Sequence, residues 1–114
     1  MRLYIVRHAI AVPHGAPDIE DDDRPLTEEG ILKMRQSAAG LRSLEYTPEL
    51  ILSSPLPRAR QTADILLEEF GKGIPMRILA ALAPSGSRQE LYRSIASCEK
   101  KFKSLMKSVK LSRL

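Results

Sequence analysis

The chain is poor in several of the features that carry function in small proteins. A single cysteine, Cys98, in 114 residues excludes an internal disulfide and a cysteine-built zinc site, so no redox compartment is implied. Tryptophan is absent, and the few aromatics, Tyr4, Tyr46, Tyr92, Phe70 and Phe102, do not interleave with basic residues as a base-stacking surface requires. No nucleic-acid partner is expected. No apolar run approaches the roughly 18 residues of a membrane span, and the run at 3–6 is broken by Arg7 too early to be a signal-peptide core. The expectation is a cytoplasmic protein with no membrane partner. Internal repeats and low-complexity linkers are also missing, which points to one domain over 1–114. Only two histidines, His8 and His14, are present.

The formal charge of +4 is unevenly distributed, with an acidic run at 20–23 and most of the lysine at 100–110. The acidic run lacks the ligand spacing and glycine of a calcium loop, so no metal is expected there and a solvated loop is the simpler reading. A net basic balance suits phosphorylated partners.

Leu3, Tyr4, Ile5 and Val6 form a short β-prone run of the kind found in a strand buried on both faces. The stretch 11–26 contains three prolines and one glycine and has no period, which predicts a loop. Thr27 is placed to cap a helix striped by Ile31, Met34, Ala38, Leu41 and Leu44 and ended by Tyr46-Thr47-Pro48. A second apolar run at 50–52 enters Ser53-Ser54-Pro55-Leu56-Pro57. A helix follows from Arg58, with Ala59, Ala63, Leu66, Leu67 and Phe70 as its stripe and Gly71 at its end. A third strand is predicted over 76–82. Ser87 is placed to cap a last helix striped by Leu91, Ile95, Cys98, Phe102, Leu105 and Val109, with lysines mostly on the other face. This order predicts an α/β domain of three layers, a largely parallel sheet flanked by helices.

Ligands in such sheets bind beyond the carboxyl ends of strands, which singles out Arg7-His8-Ala9 and the segment from Ser53 to Arg60. A neutral imidazole can attack phosphorus. A neighbouring guanidinium favours that neutral form and offers a fork of donors to phosphoryl oxygens. Arg58 falls in the first turn of a helix, where a cation is unfavourable unless an anion is held nearby.

Together these residues resemble the histidine phosphatase superfamily. The run Leu3-Tyr4-Ile5-Val6-Arg7-His8-Ala9 is similar to its Arg-His-Gly signature in the Arg-His-Ala form of small bacterial phosphohistidine phosphatases. Arg24-Pro25-Leu26-Thr27-Glu28-Glu29-Gly30 resembles the next landmark. Ser54-Pro55, Arg58-Ala59 and Gln61-Thr62-Ala63 resemble the third. The resemblance implies a phosphoglycerate mutase-like fold. It makes His8 the nucleophile that becomes phosphorylated, Arg7 and Arg58 the catalytic clamp on the phosphoryl group, and Arg24 a further substrate-binding residue, without metal or cofactor. Larger members carry a carboxylic acid after the third strand to protonate an alkoxide. This sequence reads Leu82-Ala83-Pro84-Ser85-Gly86-Ser87 there, which suits the better leaving group of a phosphohistidine on a phosphotransfer protein.

The resemblance also implies a later Gly-His motif that this sequence does not contain, and His14 in the early loop is a poor substitute. The expectation is a domain that lacks its usual C-terminal elements, through truncation or alteration, with 97–114 as an atypical basic helical tail. The last stripe has two candidate uses, packing within the chain and pairing with its copy in a homodimer. Three functions follow: a phosphohistidine phosphatase, a non-catalytic module binding phosphate or phosphoprotein, and a basic helical interaction protein.

Overall fold

The computed structural model describes residues 4–45, 47–71 and 73–113, with side chains among these through residue 100. Helix α1, Glu28–Ser43, begins where Thr27 adopts an extended backbone and its hydroxyl accepts the Gly30 N–H at 3.0 Å. Glu28 and Glu29 place negative charge at the positive end of the helix. Met34 and Ala38 are buried on its inner face, with Ile31 and Leu41 packed beside them. The expected stripe ends one position early. Leu44 lies past the helix and is exposed, because the next residue, Glu45, turns the chain out with φ 62. Tyr46, the expected terminator, is outside the described residues.

Strand β1, Ile51–Ser53, leads into helix α2, Pro57–Phe70, and then strand β2, Met76–Ile78. Proline at the first helical position has no N–H to leave unpaired. At the other end Gly71, at φ 111, donates its N–H to the Leu67 carbonyl. The two strands are parallel, with Ile51 opposite Met76, Leu52 opposite Arg77 and Ser53 opposite Ile78. Helix α2 packs on both α1 and β1. The shared core is Leu26, Met34, Ala38, Ile51, Ala63, Ile65 and Leu66, so the two helices and the sheet meet around small and branched residues.

Two strand expectations are corrected. No strand forms over residues 4–6, and Ile5 is 90 % exposed; Leu3 is outside the described residues. A β-prone run becomes a strand only when its backbone pairs with an edge. The segment just downstream is tied elsewhere: Ala11 bridges Leu26 in antiparallel fashion, Val12 N–H reaches the Pro25 carbonyl, and Thr27 N–H reaches Ile10 O. The third strand stops at Ile78. Leu79 still donates to the Ser53 carbonyl, but Ala80–Leu82 then curls into a 3-10 turn. Gly86 follows it closely, where any Cβ would overlap the Ala81 carbonyl.

The last helix, α3, spans Arg88–Arg113 and is capped by Ser87, whose hydroxyl accepts the Glu90 N–H at 3.1 Å. The basic tail from 97 is therefore a continuation of the helix that starts at Arg88. Helix α3 packs against the Ala80–Leu82 turn. The side chains of Phe102, Leu105 and Val109 lie outside those described. No helix among the described residues is long and apolar enough to cross a membrane.

Candidate functional site

The segment after residue 6 and the N-terminal half of α2 are joined by one hydroxyl. Thr62 Oγ1 accepts the backbone N–H of Ala9 at 3.0 Å and donates to the carbonyl of Arg58 at 2.7 Å. The two loci expected to form the site are thereby brought together. Thr62 sits four residues after Arg58, one helical turn on, which is why a single threonine can reach that carbonyl.

His8 is partly buried, and its Nδ1 lies 2.8 Å from the Ala9 carbonyl oxygen. A carbonyl oxygen can only accept, so Nδ1 must carry the hydrogen. In the neutral ring this leaves the lone pair on Nε2, the nitrogen free to act as nucleophile or base.

Arg58 is 5 % exposed. Its Nη1 donates to the backbone carbonyl of Asp21 at 3.0 Å, and its buried Nε has no hydrogen-bond partner. No carboxylate pairs with it among the described residues. A buried guanidinium without a counter-charge is costly, and this one stands in the first turn of a helix without acidic residues there. The arrangement fits an oxyanion, which would supply both the missing charge and the missing acceptor.

Arg24 reaches the same neighbourhood by a different route. Its Nε donates to Asp21 Oδ1 at 2.7 Å and its Nη1 to the Val12 carbonyl at 2.9 Å. Arg24 thus clasps the loop that supports Arg58, rather than standing free as Arg58 Nε does. His14 Nδ1 donates to the same Asp21 oxygen, and the Asp21 carboxyl is held below its usual value by that hydrogen bond first and by Arg24 second. Arg7 is exposed and makes no hydrogen bond or ion pair among the described residues. It adjoins His8 in sequence but is not tied to Arg58.

Two supports were missed from sequence. Thr62 stood inside a motif, with its spacing from Arg58 as a usable signal. Asp21 looked like one residue of a solvated acidic run; its position three before Arg24 was the only hint of an ion pair. Gln61 adds a third tie, its Oε1 accepting the Leu26 N–H at 2.7 Å. Gly30 is explained by close approach, since any Cβ there would overlap the Ile10 carbonyl.

Comparison with known proteins places this arrangement among relatives. The sequence profile of the histidine phosphatase superfamily (branch 1) matches residues 3–96. An uncharacterized protein from Picosynechococcus sp. is 46% identical over 88 residues, covering 76% of this chain and 52% of the relative. A crystal structure assigned to the phosphohistidine phosphatase SixA from Agrobacterium tumefaciens matches with TM-score 0.67 and 34% identity, covering 79% of this chain and 56% of that one. The protein histidine phosphatase SixA complexed with tungstate matches with TM-score 0.71 and 26% identity, covering 82% and 58%. The α/β arrangement of helices beside a small parallel sheet is the fold of these structures. The chain spans about half the length of the relatives it matches.

Proposed function

The chain belongs to the histidine phosphatase superfamily, and on that premise we propose that it is a phosphohistidine phosphatase domain in which His8 accepts the phosphoryl group and Arg7 and Arg58 hold it. In the first transfer Nε2 of His8 attacks phosphorus, the phosphorus–nitrogen bond of the substrate breaks, and the departing imidazole takes a proton from solvent. In the second, water attacks the same phosphorus and the bond to Nε2 breaks. Inorganic phosphate leaves, the electron pair returns to the imidazole, and the proton of water goes to solvent. Charge on the equatorial oxygens is offset by the arginines and the open end of α2.

The observation that carries this reading is Arg58, buried beside the His8 segment with an unpaired Nε. The likeness to a phosphatase complexed with tungstate, a phosphate-like oxyanion, supports an oxyanion as the ligand. A phosphohistidine on a phosphotransfer protein is favoured as substrate because residues 76–89 contain no carboxylate to protonate an alkoxide leaving group. The test is incubation with a histidine-phosphorylated phosphotransfer domain. Loss of phosphate that disappears in His8→Ala supports the proposal, and no loss with the wild-type chain refutes the hydrolytic reading.

The lone Arg58 also favours a second reading, a module that binds phosphate or phosphoprotein without turnover. Stabilisation of the fold by tungstate that depends on Arg58, with no phosphoryl transfer to His8, distinguishes it.

A further inference from the structure

Thr62 has no role in the transfer just described, yet it is placed where the two halves of the site meet. The side chain is buried, with 4 % exposed. Its one hydroxyl hydrogen goes to the Arg58 carbonyl, which leaves only lone pairs for Ala9, whose N–H they accept. Ala9 is therefore anchored on its N-terminal side by Thr62. On its C-terminal side the next carbonyl, that of Ile10, is held by Thr27 N–H at 2.9 Å. Between these anchors lies the Ala9 carbonyl, the acceptor for His8 Nδ1.

We propose that Thr62 is a positioning residue for His8. By fixing the Ala9 amide it holds the Ala9 carbonyl against Nδ1, and so keeps the hydrogen on Nδ1 and the lone pair on Nε2. The same hydroxyl sets the separation between the His8 segment and the helical turn bearing Arg58. This role rests on the reading of His8 as phosphoryl acceptor. A threonine that only filled space would affect stability and leave the ring nitrogens unchanged.

The experiment is nitrogen-15 NMR of the His8 ring in the full chain, at a pH where the imidazole is neutral. Three proteins are compared: wild type, Thr62→Val, which keeps the shape and loses the hydroxyl, and Thr62→Ser, which keeps the hydroxyl. The hydrogen is expected on Nδ1 in wild type and Thr62→Ser, and shared between the two nitrogens in Thr62→Val. Phosphorylation of His8 by a phosphohistidine donor is expected to slow by about 10-fold to 100-fold in Thr62→Val, the scale of a misplaced reacting group, and to recover in Thr62→Ser. A Thr62→Val ring still protonated on Nδ1, or a Thr62→Ser ring as mixed as Thr62→Val, overturns the proposal. If Thr62→Val does not fold, the wild-type chain alone decides. Hydrogen on Nε2, or an Ala9 amide that exchanges as fast as an open loop, overturns it; hydrogen on Nδ1 with a protected Ala9 amide supports it. The ring readout needs no turnover. Absence of phosphoryl transfer to His8 therefore overturns the phosphatase reading, whereas a Thr62→Val ring that keeps the wild-type tautomer overturns only the role of Thr62.

Discussion

The backbone carbonyl of Asp21 accepts a hydrogen bond from Arg58 Nη1 at 3.0 Å, across 37 positions of sequence. The side chain of the same Asp21 receives His14 and Arg24. An acidic loop thus shapes a basic site through its peptide group, while its carboxylate holds the loop in place. Removing that carboxylate in Asp21→Ala frees the turn and weakens the grip on Arg58. Tungstate affinity, read by titration calorimetry, is expected to fall by roughly 5-fold, as the Arg58 hydrogen bond to the loosened loop weakens.

The pH dependence of that clasp has a definite sign. Asp21 titrates below its ordinary value of 3.8, chiefly through the His14 hydrogen bond and then through Arg24. A lowered carboxyl contributes stability that is fully present above the ordinary value and is lost as pH falls through the lowered one. Urea midpoints of wild type and Asp21→Asn are therefore expected to differ at neutral pH. They should converge only as pH falls through that lowered value, where the carboxyl of the folded wild type becomes protonated.

Arg58 separates binding from stability. Replacing a buried, uncompensated cation with an apolar residue of similar reach is often neutral or stabilising. Arg58→Met is expected to change the stability of the ligand-free chain by no more than about 1 kcal/mol either way. It should also abolish the rise in melting temperature that tungstate gives the wild type. Thermal unfolding with and without tungstate measures both.

Gly30 is required by contact. A methyl group there meets the Ile10 carbonyl, and that carbonyl also receives Thr27 N–H. Gly30→Ala improves helix propensity by about 1 kcal/mol but forces the 9–12 segment outward, at a typical overpacking cost of about 1–3 kcal/mol. A net loss of stability in urea is the expected outcome, where propensity alone predicts a gain.

The legible parts of the fold were those with local causes. Thr27, Pro57, Gly71 and Ser87 mark helix ends by their own hydrogen bonds or backbone angles, and all four were readable from sequence. Residues 4–6 misled because β-propensity says nothing about whether a run will pair with an edge, and the segment just after it is tied to residues 25–27 instead. The run at 76–82 misled for a related reason. The ladder is satisfied by Leu79, and the chain then closes on itself at Ala80–Leu82.

The candidate site was legible in outline through motif spacing: His8, Arg58 and Arg24 were singled out, and the structure gathers their segments through Ala9, Thr62 and Asp21. The supports themselves were not legible. Asp21 acts through a backbone carbonyl, which every residue possesses, and nothing in its side-chain chemistry announces that contact. Arg24 was singled out for the pocket by its motif, and its Nε bond to Asp21 and Nη1 bond to the Val12 carbonyl could not be read from that motif.

The nucleophile assignment stands above the rest, and it is tested most directly by trapping. The wild-type chain is mixed with a histidine-phosphorylated phosphotransfer domain, quenched at alkaline pH to preserve phosphorus–nitrogen bonds, and digested for mass spectrometry. The expected result is one added phosphoryl group on the peptide carrying His8, absent in His8→Ala and slowed in Arg58→Met. A donor that loses its phosphate while His8 stays unmodified at every time point, and equally fast with His8→Ala, is the result that contradicts it.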